Sequence, residues 1–194
     1  MEHTALIFGA ALLAATATAN AQGYFEFGEI PGFKGEPTVQ IDLGPAMLAF
    51  VNGAAQGAAI ASPEAAAAAH ALDGVTNVRV RVYEDVTVDP VALQKFVDDS
   101  SAALDRAGWE RVVRVNEDGE QVHIFMKPNT AAGAVPGSIS GITVMVTDTG
   151  GDEAVFINVA GTILPQQLGQ IAGAVGMNGV FNGIPGLATQ QGQQ

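Results

Sequence analysis

The chain is predicted to fold as an α+β two-layer sandwich, a mainly antiparallel sheet with helices packed on one face. Two observations carry this. The second half holds two consecutive hairpins, one turning at Glu117-Asp118-Gly119 and one at Gly150-Gly151, and consecutive hairpins build antiparallel sheets. The first half interleaves helical stretches with two strand-like runs, Thr38 to Leu43 and Val75 to Tyr83.

Each element follows from its residues. Gly23-Tyr24-Phe25-Glu26-Phe27-Gly28 is an extended opening with Phe25 and Phe27 on one side. Val39, Ile41 and Leu43 alternate with polar residues and make a strand. Gly44-Pro45 ends it and starts a helix running to about Ala59. Ser62-Pro63-Glu64 supplies an N-cap, a proline at the first helical position and an acid in the first turn. The helix continues through Ala65–Ala69 to Leu72. In the next strand Val78, Val80 and Val82 face one way, and Arg79, Arg81 and Tyr83 the other. Asp89-Pro90 caps a helix to Ala107, with Val91, Phe96, Val97 and Leu104 as its main apolar residues and Gly108 as its C-cap glycine. Strands follow at Trp109 to Asn116, Glu120 to Lys127, Ile139 to Thr147 and Glu153 to Ala160. Pro165 opens a last helix to about Ala174.

The N-terminus is read as an export signal. Ala5-Leu6-Ile7-Phe8 and Ala10 to Leu13 form an apolar run, followed by Ala19-Asn20-Ala21. Small residues at Ala19 and Ala21 are what signal peptidase accepts, so cleavage is expected before Gln22. The usual positive n-region is missing, with Glu2 and His3 in its place. The expected organisation is therefore a signal peptide at 1–21, one α+β domain at 22–175 and a Gly/Gln-rich flexible tail at 176–194. The expected location is the periplasm or the extracellular space. The apolar run is shorter than the roughly 20 residues that span a bilayer, and no second apolar segment is long enough to cross one, so no membrane span is expected. The chain has no cysteine, which excludes disulfides, thiolate metal sites, a cysteine nucleophile and a lipid anchor on cysteine. The formal net charge of −12 repels nucleic acid phosphates and anionic headgroups.

The motifs resolve into structure rather than chemistry. Thr147-Asp148-Thr149-Gly150 has the Asp-Thr-Gly of an aspartic protease, but Gly151 stands where Ser or Ala belongs and too little chain follows. A hairpin turn accounts for Asp148, Gly150 and Gly151. Asn116 to Glu120 is a turn as well, because a calcium loop would put Arg114 at its first ligand position. His70 and His123 have no spacing for a metal site. Ser62, Ser100 and Ser101 lie outside any hydrolase elbow, and no phosphate or dinucleotide loop occurs. Glu84, Asp85 and Asp89 read as a solvated loop and an N-cap. No catalytic residue, metal ligand or cofactor is assigned.

The face opposite the helices is the candidate interaction surface. Strand alternation sends Arg79, Arg81, Tyr83, His123, Phe125, Met145 and Phe156 there. The set is too apolar for bare solvent and too charged for a dry core. Either a partner covers it, or the chain does, with Tyr24, Phe25 and Phe27 or with its Gly-rich tail.

Gly23 to Phe27, Val39 to Gly44, Val78 to Tyr83, Gly108-Trp109-Glu110, Ala154 to Gly161 and Pro165 to Leu168 give the chain a further character. In these stretches it resembles an exported bacterial family catalogued as the domain of unknown function numbered 4252. The resemblance covers nearly all of the domain and implies an envelope location. Many members carry a lipoprotein cysteine that this chain lacks. The resemblance brings no activity, cofactor or site residues. The functional expectation is a non-enzymatic envelope protein that binds a protein partner or itself. The alternatives are a hydrolase or metal-dependent enzyme whose carboxylates, such as Asp42, Glu84 and Asp85, meet only in the fold, and a carrier of a small ligand between helices and sheet.

Overall fold

The computed structural model describes residues 22–167, apart from 31–35, 61, 85–88, 118, 149 and 151–152. The expected signal peptide at 1–21, including Ala19 and Ala21, and the expected tail at 176–194 lie outside the described residues.

Six strands form one sheet: β1 (Val39–Leu43), β2 (Val75–Glu84), β3 (Glu110–Glu117), β4 (Glu120–Pro128), β5 (Ile139–Asp148) and β6 (Glu153–Ile163). Their order is β1-β2-β6-β5-β4-β3, and every adjacent pair is antiparallel. Strands β3 to β6 are the two expected hairpins run together as a meander. The β6 strand then turns back against β2, the non-local pairing that closes the domain. Helices α1 (Pro45–Ala58) and α2 (Pro63–Leu72) connect β1 to β2, and α3 (Pro90–Arg106) connects β2 to β3. The caps form as the residues dictate. Ser62 Oγ accepts from the Ala65 amide at 3.2 Å, and Asp89 Oδ1 from the Val91 amide at 3.0 Å. Gly108, at φ +74°, follows α3 in the left-handed conformation that suits glycine.

The α+β class and the antiparallel sheet are as expected, but the helices do not share one face. Leu48 of α1 and Ala71 of α2 pack on Val122, Ile124, Ile142, Val144, Ile157 and Val159. On the opposite face Leu93, Phe96, Val97 and Leu104 of α3 pack on Phe125, Met145 and Phe156. The molecule therefore has three layers. The physical reason lies in the central strands. Ile124-Phe125-Met126, Val144-Met145-Val146 and Val155-Phe156-Ile157 are apolar on both sides of the pleat, so both faces need cover. In α3 the buried stripe uses Leu93 in place of Val91, which is exposed.

Candidate functional site

The seven residues expected on the outer face do share it, as the alternation requires. Their surroundings divide them. His123, Phe125, Met145 and Phe156 are buried, at 2% exposure or less. Arg79, Arg81 and Tyr83 are half-buried. The chain itself covers the apolar part. The α3 helix lies over one portion, and the segment before β1 lies over another, with Phe27, Ile30 and Trp109 in the same buried cluster and Phe25 beside it. Phe27 and Phe96 both stand against the Phe156 ring, at 5.2 and 5.6 Å between centroids. The four buried residues are thus core, and a partner cannot reach them in this conformation.

Asn158 holds the N-terminal segment down. It is a buried amide among apolar neighbours on β6. Its Oδ1 accepts from the Phe25 amide at 3.1 Å, and its Nδ2 donates to the Gly23 carbonyl at 3.1 Å. Together these replace the two backbone bonds that a seventh strand would make. Nδ2 also lies 3.2 Å from the Ile142 carbonyl and 3.0 Å from Thr143 Oγ1. Gly23 crosses Gly141 so closely that a Cβ on Gly23 would collide with the Ser140 carbonyl oxygen. Sequence reasoning missed this clamp. Its signal was an asparagine in the middle of Ala154-Val155-Phe156-Ile157-Asn158-Val159-Ala160, where a side-chain amide needs a reason.

The polar end of the same face forms an ionic cluster. Arg79 on β2 donates from Nη1 to Glu26 Oε1 and from Nε to Asp42 Oδ1, each at 2.6 Å. The Tyr24 hydroxyl donates a hydrogen bond to Glu26 Oε2 at 2.6 Å, and its ring lies under the Arg79 guanidinium at 5.2 Å. Gln40 donates to Asp42 at 2.6 Å, and Arg81 stands 3.9 Å from it. Tyr24, Glu26, Asp42 and Arg79 border an open cleft of about 710 Å³, with Leu43, Gly44, Thr76 and Asn77 on its other sides. The hydrogen bonds from Tyr24 and Arg79 hold Glu26 below the usual carboxylate range. Burial pushes Asp42 upward, but the bonds from Gln40 and Arg79 and the two arginine charges outweigh it, so its pKa is lowered too. Burial and the bond to Glu26 raise Tyr24. Glu26 and Asp42 therefore stay ionised and Tyr24 neutral near neutrality, which suits a brace.

The alternative carboxylate set does not assemble. Asp42 pairs in register with Arg79, whereas Glu84 stands at the other end of β2, opposite Glu153. Asp85 lies outside the described residues. Among the described residues no three His, Asp or Glu side chains group as a metal site. Asp148 is a turn residue, with Oδ1 accepting from the Gly150 amide at 2.9 Å. Phe96, Leu104, Phe125 and Phe156 pack between α3 and the sheet, while near the start of α3 a cleft of about 470 Å³ opens between Pro90, Leu93 and Gln94 on one side and Gln121, Thr147 and Asp148 on the other.

The apolar surface that remains open lies on the other side of the sheet. From Leu43 to Pro63 the sequence holds no charged residue. Helix α1 buries Leu48 yet presents Met47 and Phe50 outward, Phe50 at 73% exposure, and Ile60 just beyond it is 93% exposed. Beside it Val39 and Ile41 of β1 remain 41% and 39% exposed, because α1 packs chiefly on β2 and α2. Large exposed apolar residues on neighbouring elements are a feature that interaction surfaces share. The alternation in β1 was readable in the sequence. That α1 would leave it uncovered was not.

No helix among the described residues is long and apolar enough to cross a membrane. No curated protein and no solved structure matches the chain. Residues 33–171 match one family model, and on that match the chain belongs to the family described as Domain of unknown function (DUF4252).

Proposed function

We propose that this is an exported, non-enzymatic envelope protein that acts by binding another protein chain through its β1–α1 face. The observation that carries the binding half is the exposed, charge-free stretch with Met47, Phe50 and Ile60 beside Val39 and Ile41. A soluble chain of net charge −12 has ample polar residues to cover such a face, and an exposed Phe in its midst is suited to anchoring a partner. The export half is supported by the apolar N-terminal run and by Ala19 and Ala21 before Gln22. The net charge of −12 supports a partner other than nucleic acid.

The test has two parts. Intact-mass measurement of exported protein should give a chain beginning at Gln22, and a mass that retains residues 1–21 contradicts export processing. Tagged protein should retain a partner from the envelope fraction, and Phe50→Asp should abolish that retention without loss of fold. Equal retention by both proteins removes the face from the account.

A further inference from the structure

The two edges of the sheet are built differently. The outer strand β3 carries Glu110, Arg111, Arg114 and Glu117 and a register bulge between Arg111 and Val113. Charges and bulges are the devices that keep an edge strand from pairing with another chain. The other edge, β1, has no bulge and a single charge. Its sequence is Val-Gln-Ile-Asp-Leu, its pairing with β2 is regular over all five residues, and no described strand lies on its outer side. That charge, Asp42, is partly exposed and is paired with Arg79 and Gln40.

This edge complements itself. Placed antiparallel to a copy of itself about Ile41, β1 sets Val39 against Leu43, Ile41 against Ile41 and Gln40 against Asp42. The apolar residues then meet on one face. On the other an amide faces a carboxylate, so no like charges are opposed. Such a contact is isologous and closes at two copies. The half-exposed Val39 and Ile41 of both copies would run as one apolar strip between the two α1 helices, with Met47 and Phe50 beside it. Local charge does not oppose a second copy at this face. Two chains of net charge −12 repel wherever acidic surface meets acidic surface. The stretch from Leu43 to Pro63 is charge-free, so contact there avoids that cost.

We infer that the partner of the β1–α1 face is a second copy of this chain, joined edge to edge through β1 into a continuous twelve-stranded sheet. The inference rests on the reading of that face as a protein-binding surface.

Sedimentation velocity on the processed full-length chain, with Phe50→Asp and Val39→Lys variants, tests it. Both substituted residues are exposed, and circular dichroism reports whether each variant is folded. The expected result is a dimer for the unsubstituted chain and a rise of at least about tenfold in the dissociation constant for each variant. A dimer indifferent to both substitutions overturns the inference. So does a monomer, and the variants then distinguish two cases. If Phe50→Asp leaves the melting temperature unchanged and a cross-linker at position 50 captures a different polypeptide in cells, only self-association fails. If Phe50→Asp lowers the melting temperature of a monomer, the chain covers this face itself, and the binding reading fails as well.

Discussion

Replacing Asn158 with alanine tests how the outer face is closed. The substitution removes the acceptor for the Phe25 amide and the donor for the Gly23 carbonyl, both at 3.1 Å, together with bonds to Ile142 and Thr143. Asn158 is 1% exposed, so water does not replace the lost partners. Each buried group left unpaired costs about 1–3 kcal/mol. Partial release of the N-terminal segment lets the Gly23 and Phe25 groups reach solvent, which limits the total to about 2–4 kcal/mol. Release also uncovers Phe27 and Phe156. Urea denaturation followed by Trp109 fluorescence measures the loss, because Trp109 lies within the covered cluster. Asn158→Asp separates hydrogen bonding from volume. It keeps an acceptor for the Phe25 amide, cannot donate to the Gly23 and Ile142 carbonyls, and should lose at least as much. Full stability in both variants would refute the clamp.

Three further outcomes follow from buried or turn residues. Neither ring nitrogen of His123 has a hydrogen-bond partner among the described residues, and burial, with Arg111 and Arg114 nearby, lowers its pKa below 6.5. The unfolded chain therefore takes up this proton first. Stability contributed here is full above about pH 6.5 and declines as pH falls through 6.5 toward the depressed folded value; His123→Leu should flatten that decline in denaturation curves taken across the window. Phe125→Asp places an unpaired charge at a fully buried position and should cost roughly 2–4 kcal/mol or prevent folding, so a stable, folded variant contradicts the closed face. Asp148→Asn keeps an oxygen for the Gly150 amide and should change stability by less than about 1 kcal/mol, with binding retained; lost binding in a folded variant would restore a chemical role for Asp148.

Local rules made much of the fold legible. Alternation in Val78 to Tyr83 placed Arg79 and Tyr83 on one face and the valines on the other, and Ser62, Asp89 and Gly108 bounded helices where their chemistry suits. What stayed hidden depends on contacts between distant segments. The side of the sheet crossed by α3 is settled by the connection from β2 to the far edge, although doubly apolar runs such as Ile124-Phe125-Met126 show that both faces need cover. The brace of Arg79, Glu26 and Asp42 joins three separate stretches, and no spacing announces it. The open face was hidden for the same reason. Its residues look like an ordinary amphipathic helix and strand until β1 is seen at the edge with α1 displaced toward β2.

Site-specific photo-cross-linking in the producing cell tests the binding face most directly. A photoreactive phenylalanine derivative is placed at position 50 in one strain and at position 125 in another. Residue 50 is exposed on α1, and residue 125 is sealed between α3 and the sheet. The account predicts an irradiation-dependent adduct from position 50, of twice the chain's mass, and none from position 125. Adducts from position 125 with none from position 50 would contradict it, because the working surface would then be the face that the structure shows closed.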